Sequence, residues 1–406
     1  MINRGYRVEI KPNNKQKTLL NKAFGVARFA YNWGLARRIE LYKNEKKSLS
    51  AIDQHKELCI LKKEQFPWMY EVSKCVPQEA LIDLEDAYNK FYKSNKNFRY
   101  PKFKTKHKSK DSFRVSSGNF YITESSIKIP KIGQIKLKEK RYIPTAGIKY
   151  NSITVSKDAN KYFVSVQCEV ETPGVTEKKE TVLGIDLGIK TLLVCSNGEI
   201  FDNPKTTYKY EKKLAHAQKN FSRTKKGSKN RTKANLKVQK IYRKIKNSRM
   251  NNLHRATSAV VKTKPRYIVL EDLNVKGMTK NHHLAKAVSD GSFGEIYRQF
   301  KYKALWYGSE IIDADRFYPS SKLCRKCGQI KDDLTLEDRV YTCECGHTED
   351  RDLNASINLE EYGLNTLSSR GIKACGESVR LLDAIDLEAV STNQEENNTT
   401  NLVSCI

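Results

Sequence analysis

The chain has 406 residues, enough for roughly two to four compact units, and carries 75 Lys and Arg against 46 Asp and Glu, a formal charge of +29. That excess goes beyond what solubility requires and makes a polyanion the expected partner. A membrane is not expected: no run of about eighteen apolar residues occurs, and the start MINRGYRVEIKPNNKQK lacks the apolar core of a signal peptide, so the expected compartment is the cytosol. Ten cysteines in a reducing compartment are read for metal before disulfides.

Tyr6, Val8 and Ile10 alternate with Arg7 and Glu9, which predicts a strand, and Pro12, Asn13 and Asn14 then turn the chain. From Leu19 to Leu41 the residues Leu20, Phe24, Ala27, Ala30, Tyr31 and Leu35 recur at helical steps, with Arg28, Arg37 and Arg38 forming a basic flank. A second helix is predicted from near Pro77, with Leu81, Leu84, Ala87, Tyr88 and Phe91 along one face. NFRYPKFKTKHKSK, from Asn97 to Lys110, sets aromatics among cations, a pattern that lets rings stack on bases while ammonium groups neutralise phosphates; its plainer reading is a solvated basic loop. SFRV, FYITESSIKI, QIKLKEK and SITVSKDANKYFVSVQCEV then read as strands of a small antiparallel sheet or barrel, which the strand at Tyr6 joins.

A boundary is expected around Thr172 to Lys179, followed by the buried strands of TVLGIDLGIKTLLVC. Between Lys205 and Met250 seventeen Lys and Arg face a single acid, Glu211, in a helical context broken at Gly227. Like charges so dense repel unless a polyanion offsets them, so phosphate contact is favoured over an exposed charged hairpin. The polar end, STNQEENNTTNLVSCI, reads as a disordered tail.

Two sets of residues carry chemistry. Cys324-Arg-Lys-Cys327-Gly and Cys343-Glu-Cys345-Gly place paired cysteines on two glycine-ended turns, which is what tetrahedral zinc demands. The second pair has one intervening residue instead of two, which admits His347 as a substitute ligand. With four ligands the metal is structural. The second set is acidic. Asp186 interrupts an apolar strand pair, Glu271 ends the strand RYIVLEDL, and Asp352 lies in EDRDLNASINL. Charges in such apolar settings need a metal or a partner. Strand alternation lets one of Glu271 and Asp272 face a common point, and either Asp350 or Asp352 suits a helix N-cap. Together the acids suggest a site for two Mg2+ ions hydrolysing phosphodiesters. No Gly-rich Lys-Ser phosphate loop and no His-Glu-x-x-His helix compete with that reading.

These segments, VARFAYNWGL, PKFKTKHKSKDSF, GIDLGIKTL, IVLEDL, CRKCG, CECG and DRDLNASINL, resemble in order and spacing the TnpB (OrfB) proteins of bacterial insertion sequences, related to type V CRISPR effector nucleases. The resemblance spans nearly the whole chain. It implies an α+β multidomain protein: a β-barrel (wedge) domain over 1–12 and 97–178, a helical recognition lobe over 13–96, a ribonuclease H-like (RuvC) nuclease domain over 180–318 and 349–375, a zinc-binding insert over 319–348, and a tail over 376–406. It also implies Asp186, Glu271 and Asp352 as the Mg2+-binding catalytic triad, and Cys324, Cys327, Cys343 and Cys345 as structural Zn2+ ligands. The implied activity is an RNA-guided DNA endonuclease, a monomer holding a guide RNA and cutting double-stranded DNA beside a short flanking motif. A nucleic-acid-binding regulator of transposition and a strand-transferring transposase are the competing readings.

Overall fold

In the computed structural model, which describes residues 1–93, 98–106, 108–171, 179–335 and 338–374, the strand expected at Tyr6 runs over β1 (Ile2–Lys11). Most of the expected boundary and all of the expected tail lie outside the described residues. The first helix, α1 (Asn14–Glu45), outruns its apolar period at both ends. A capping box sets its start: Gln16 N–H donates to Asn13 Oδ1 at 2.9 Å and Asn13 N–H donates to Gln16 Oε1 at 3.0 Å. The next helix, α2 (Ala51–Glu64), was not expected, because it buries only Ala51, Gln54 and Leu58 and so shows little of a helical apolar stripe. After a 3-10 turn at Pro67–Glu71 comes α3 (Cys75–Lys93), with Pro77 in its first turn and Leu81, Leu84 and Tyr88 buried.

The strand segments then follow as expected: β2 (Ser112–Ser116), β3 (Tyr121–Ile122), β4 (Ser126–Ile129), β5 (Gly133–Leu137), β6 (Lys149–Asp158) and β7 (Lys161–Val170). With β1 they form one antiparallel sheet in the order β2-β6-β7-β1-β5-β4-β3. Among the described residues no ladder joins β2 to β3, so the ladders define a seven-stranded sheet. Helices and sheet share one core, in which Leu20, Phe24 and Leu81 pack with Val8, Phe113 and Ile153. Residues Met1–Glu171 make up this first unit.

The second unit begins with an antiparallel meander, β8 (Lys179–Leu187), β9 (Thr191–Cys195) and β10 (Ile200–Asp202). The basic segment is a helical hairpin, α4 (Thr206–Ser222) and α5 (Lys229–Lys262), turned at Gly227 with φ 82° and closed by a small apolar seam of Leu214, Val238, Ile241 and Ile245. The chain then re-enters the sheet as β11 (Pro265–Glu271), parallel to β8, crosses through α6 (Val275–Met278), α7 (His282–Gly291) and α8 (Phe293–Tyr307), and returns as β12 (Glu310–Ala314), parallel to β11. The cysteine segment carries the short pair β13 (Val340–Thr342) and β14 (Thr348–Asp350), and α9 (Arg351–Ala374) ends the described chain.

The five main strands are ordered β10-β9-β8-β11-β12, and side-chain alternation divides them into two faces. Leu183, Ile185, Ile268 and Leu270 pack on one face with Leu253 and Val260 of α5 and Ile296 and Phe300 of α8. Val182, Val269, Ile312 and Ala314 pack on the other with Leu359 of α9. Lys303 is buried in the first layer, where its Nζ donates to Thr257 Oγ1 at 2.6 Å and Ser258 Oγ at 2.9 Å. Among the described residues, no helix is long and apolar enough to cross a membrane.

Candidate active site

The carboxylates meet through strand register and one helix contact. Ile185 of β8 pairs with Leu270 of β11 in parallel, so the next residues, Asp186 and Glu271, stand side by side at the C-terminal ends of both strands on the opposite face. That face is the one α9 covers. At Gly184 a Cβ would lie 2.0 Å from the Ser356 carbonyl oxygen and 2.5 Å from the Glu360 nitrogen, so only a residue without one lets the helix backbone press onto β8. Further along, a Cβ on Gly363 would lie 2.5 Å from Val269 Cγ2 and 2.9 Å from Val182 Cγ1. These contacts run α9 antiparallel to β8. Two residues beyond Gly184 is Asp186, and one turn before Ser356 is Asp352, so the acids converge at the strand ends.

The acids that residue pattern alone left open differ in their surroundings. Asp272 is exposed and paired with Arg316, while Glu271 is half-buried and accepts a hydrogen bond from the Ser320 hydroxyl. Asp350 is the cap of α9, its Oδ1 accepting the Asp352 and Leu353 N–H groups at 3.0 Å each, which leaves the Asp352 carboxylate for the site. Burial drives the Asp186 carboxyl well above the usual carboxylate range, Glu271 and Asp352 push it further, and Arg351 partly opposes them. Burial also raises Glu271, against the Ser320 hydrogen bond. Asp186 is 8% exposed, so three acids with a single opposing guanidinium form a cluster whose charge a cation would offset.

The four cysteines are the only group of three or more His, Cys, Asp or Glu among the described residues whose ligand atoms all lie within 4.8 Å of one another. Cys324 Sγ and Cys345 Sγ are 3.7 Å apart, and Cys327 Sγ and Cys343 Sγ 3.6 Å. Thiolates about 2.3 Å from a tetrahedral zinc are about 3.8 Å from one another, so the cluster has the dimensions of a ligand shell. A disulfide would bring sulfurs to about 2.05 Å. Each turn closes on its glycine: Gly328 N–H donates to Cys324 O at 2.8 Å and Gly346 N–H to Cys343 O at 2.9 Å, with φ 73° and 83°. Burial opposes ionisation of Cys324, but the backbone amides of Cys327 and Lys326 carry its thiol down to about 7. The short spacing of the second pair therefore does not keep it from the cluster. The His347 ring lies apart, its Nε2 3.5 Å from Glu349 Oε2.

Residue pattern did not single out Gly184 or Ser320. The first carried a legible signal, a glycine inside a strand two residues before a buried acid; Ser320 carried none.

Comparison with known proteins agrees with this architecture. The OrfB model of insertion sequence IS605, described as "Probable transposase", matches residues 165–282; "Cas12f1-like, TNB domain" matches 293–359; and a "Helix-turn-helix domain" of OrfB matches 1–47, where the structure holds β1 and the single long α1. A Streptomyces pristinaespiralis protein named "Putative RNA-guided DNA endonuclease" is 34% identical over 93% of this chain and 92% of its own length. Another, "Putative RNA-guided DNA endonuclease InsQ" of Escherichia coli, is 29% identical over 92% and 94%. Among solved structures, a chain of the cryo-EM Cas12f1-sgRNA-target DNA complex matches with TM-score 0.54, covering 88% of this chain and 98% of that one at 12% identity, a likeness of fold. The fold is thus the α+β class shared with Cas12f1. Its identity to the Streptomyces protein over nearly the whole of both sequences is decisive: the chain belongs to the TnpB (OrfB) family of insertion-sequence proteins.

Proposed function

We propose that the chain is an RNA-guided DNA endonuclease whose Asp186, Glu271 and Asp352 bind the metal that cuts phosphodiester bonds. One observation carries this reading: three acids from separated segments meet at the ends of two parallel strands, where Asp186 is buried beside the other two. Mg2+, when bound there, supplies charge neutralisation for the attacking and leaving oxygens. Asp186, Glu271 and Asp352 would hold Mg2+, one ion or a pair, through their carboxylate oxygens. Asp186 holds the inner position, Glu271 is oriented by Ser320, and Asp352 is set by the capped start of α9. The four cysteines hold a structural Zn2+.

The names and contents of the related proteins support a guide RNA and a double-stranded DNA target as partners. Exposed cations along α4 and α5 would follow phosphate backbones, while Tyr92, Tyr100 and Phe103, each exposed beside Lys or Arg, would stack on bases. Within this reading residues 13–96 form the recognition lobe, 1–12 and 97–178 the barrel-like wedge that reads a motif flanking the target, 180–318 and 349–375 the RuvC-like domain and 319–348 the zinc insert. The chain acts as a monomer in the cytoplasm.

The test is to co-express the chain with its native flanking DNA, sequence the RNA that purifies with it, and assay the complex on matching plasmid with Mg2+. Guide-dependent cutting is expected, and Asp186→Ala should lower it by on the order of a thousandfold while DNA binding persists. Bound RNA with no Mg2+-dependent breaks would point to a regulator, and joined DNA ends to a strand-transferring transposase; either overturns the proposal.

A further inference from the structure

The segment that leads into the first zinc-type turn is gripped by two buried amides of α9. Asn358 Nδ2 donates to Ser320 O at 2.7 Å and to Leu323 O at 2.8 Å, and Asn354 Nδ2 donates to the same Leu323 oxygen at 2.8 Å. Both asparagines are fully buried, and their Oδ1 atoms find no partner among the described residues. Leaving a buried acceptor unmade is costly, and an apolar side chain at either position would avoid that cost. What the amides provide in return is a fixed path for residues 320 to 323. One end of that path presents the Ser320 hydroxyl to Glu271, and the other enters Cys324, whose sulfur belongs to the thiolate cluster. Asn354 and Asn358 also lie on the helix that begins with Asp352. One short segment therefore touches both candidate metal sites.

We propose that Ser320, Asn354 and Asn358 are positioning residues that tie the thiolate cluster to the carboxylates, so that Glu271 is aimed by the same four residues that deliver Cys324. The inference rests on reading Asp186, Glu271 and Asp352 as a divalent-cation site. Ser320 is no ligand: its hydroxyl donates to one Glu271 oxygen and so restricts the rotation of that carboxylate, leaving the second oxygen for a cation. The asparagines hold the backbone from which the hydroxyl projects. Removing such an outer support typically costs on the order of ten- to a hundredfold in metal affinity, with no ligand lost.

The experiment uses the full chain with its bound RNA and reads three quantities: the Mn2+ concentration that half-saturates cutting, Mn2+ binding above the background left in Asp186→Ala, and zinc content. Ser320→Ala should raise the half-saturating Mn2+ about tenfold or more, with the maximal rate recovered at high Mn2+ and zinc content unchanged. Ser320→Thr, which keeps the hydroxyl, should restore the affinity. Asn358→Leu should weaken Mn2+ binding and also speed zinc loss to a chelator. If Ser320→Ala matches the parent while Asp186→Ala loses specific Mn2+ binding, the positioning role is wrong and the cation site stands. If Asp186→Ala keeps that binding, the cation site itself is misread and the inference falls with it. The Ser320 pair decides the matter even where Asn358→Leu fails to fold.

Discussion

The thiolate cluster and the carboxylate site lie on neighbouring parts of one unit but are built by different means. Four sulfurs within 4.8 Å are delivered by two short turns, each closed by its own glycine, so their geometry is mostly local. The carboxylates come from Asp186, Glu271 and Asp352, and nothing local brings them together; strand register and the pressing of α9 onto Gly184 do so. A locally built site keeps its ligands together when distant contacts move, whereas one assembled from distant elements is lost when any of its contacts moves.

Four substitutions test that contrast. The largest effect is expected for Gly184→Val: its side chain meets the Ser356 and Glu360 backbone, which must retreat, so cutting should fall by about a hundredfold or more with stability lowered by about 1–3 kcal/mol, while zinc stays bound but is lost faster to a chelator because Asn358 moves with that backbone. Metal analysis and a plasmid assay on one preparation check both halves, and parental cutting would break the comparison. Cys324→Ser is next and inverts it: zinc should be lost, and because Cys324 follows the segment that orients Glu271, cutting should fall too, by about tenfold. Retained zinc would show that Cys324 is not needed to hold it.

Asp350→Ala removes the cap of α9 and the contact that seats the Asp352 backbone, and should cost about 1 kcal/mol, a fall in Tm of about 2–4 °C, with a raised metal requirement. The smallest effect lies on the opposite face of the sheet, at Lys303. Burial lowers its ammonium to about 8, with Glu295 opposing and Arg298 and Lys262 adding to the fall. The unfolded chain therefore holds a proton that the folded chain releases between pH of about 8 and the ordinary 10.5, so this residue adds stability as pH rises through that window. Thermal melts of the parent against Lys303→Met should show a relative gain of about 2 °C for the parent over that range, and parallel curves would refute it.

Much of the fold was legible from residue pattern. The alternation at Tyr6 and along 112–170 gave the strands of the first sheet, and the apolar period of Leu20 to Leu35 gave α1. Where it failed, the signal was weak. The helix α2 buries too few residues to show a period.

For the sites the division has the same cause. Sequence by itself narrowed the zinc ligands to four cysteines with His347 as a substitute, since zinc ligands on tight turns must be close in the chain, and it narrowed the acids to three segments, since a carboxylate in an apolar strand is conspicuous. The resemblance implied Glu271 over Asp272 and Asp352 over Asp350; the tertiary structure adds that Glu271 stands beside Asp186, that Asp350 caps α9, and that Ser320 is a partner of Glu271. Those placements depend on which strand lies beside which, in what register, and how closely a helix backbone can approach one glycine, and such quantities exist only once residues far apart in the chain have been packed together.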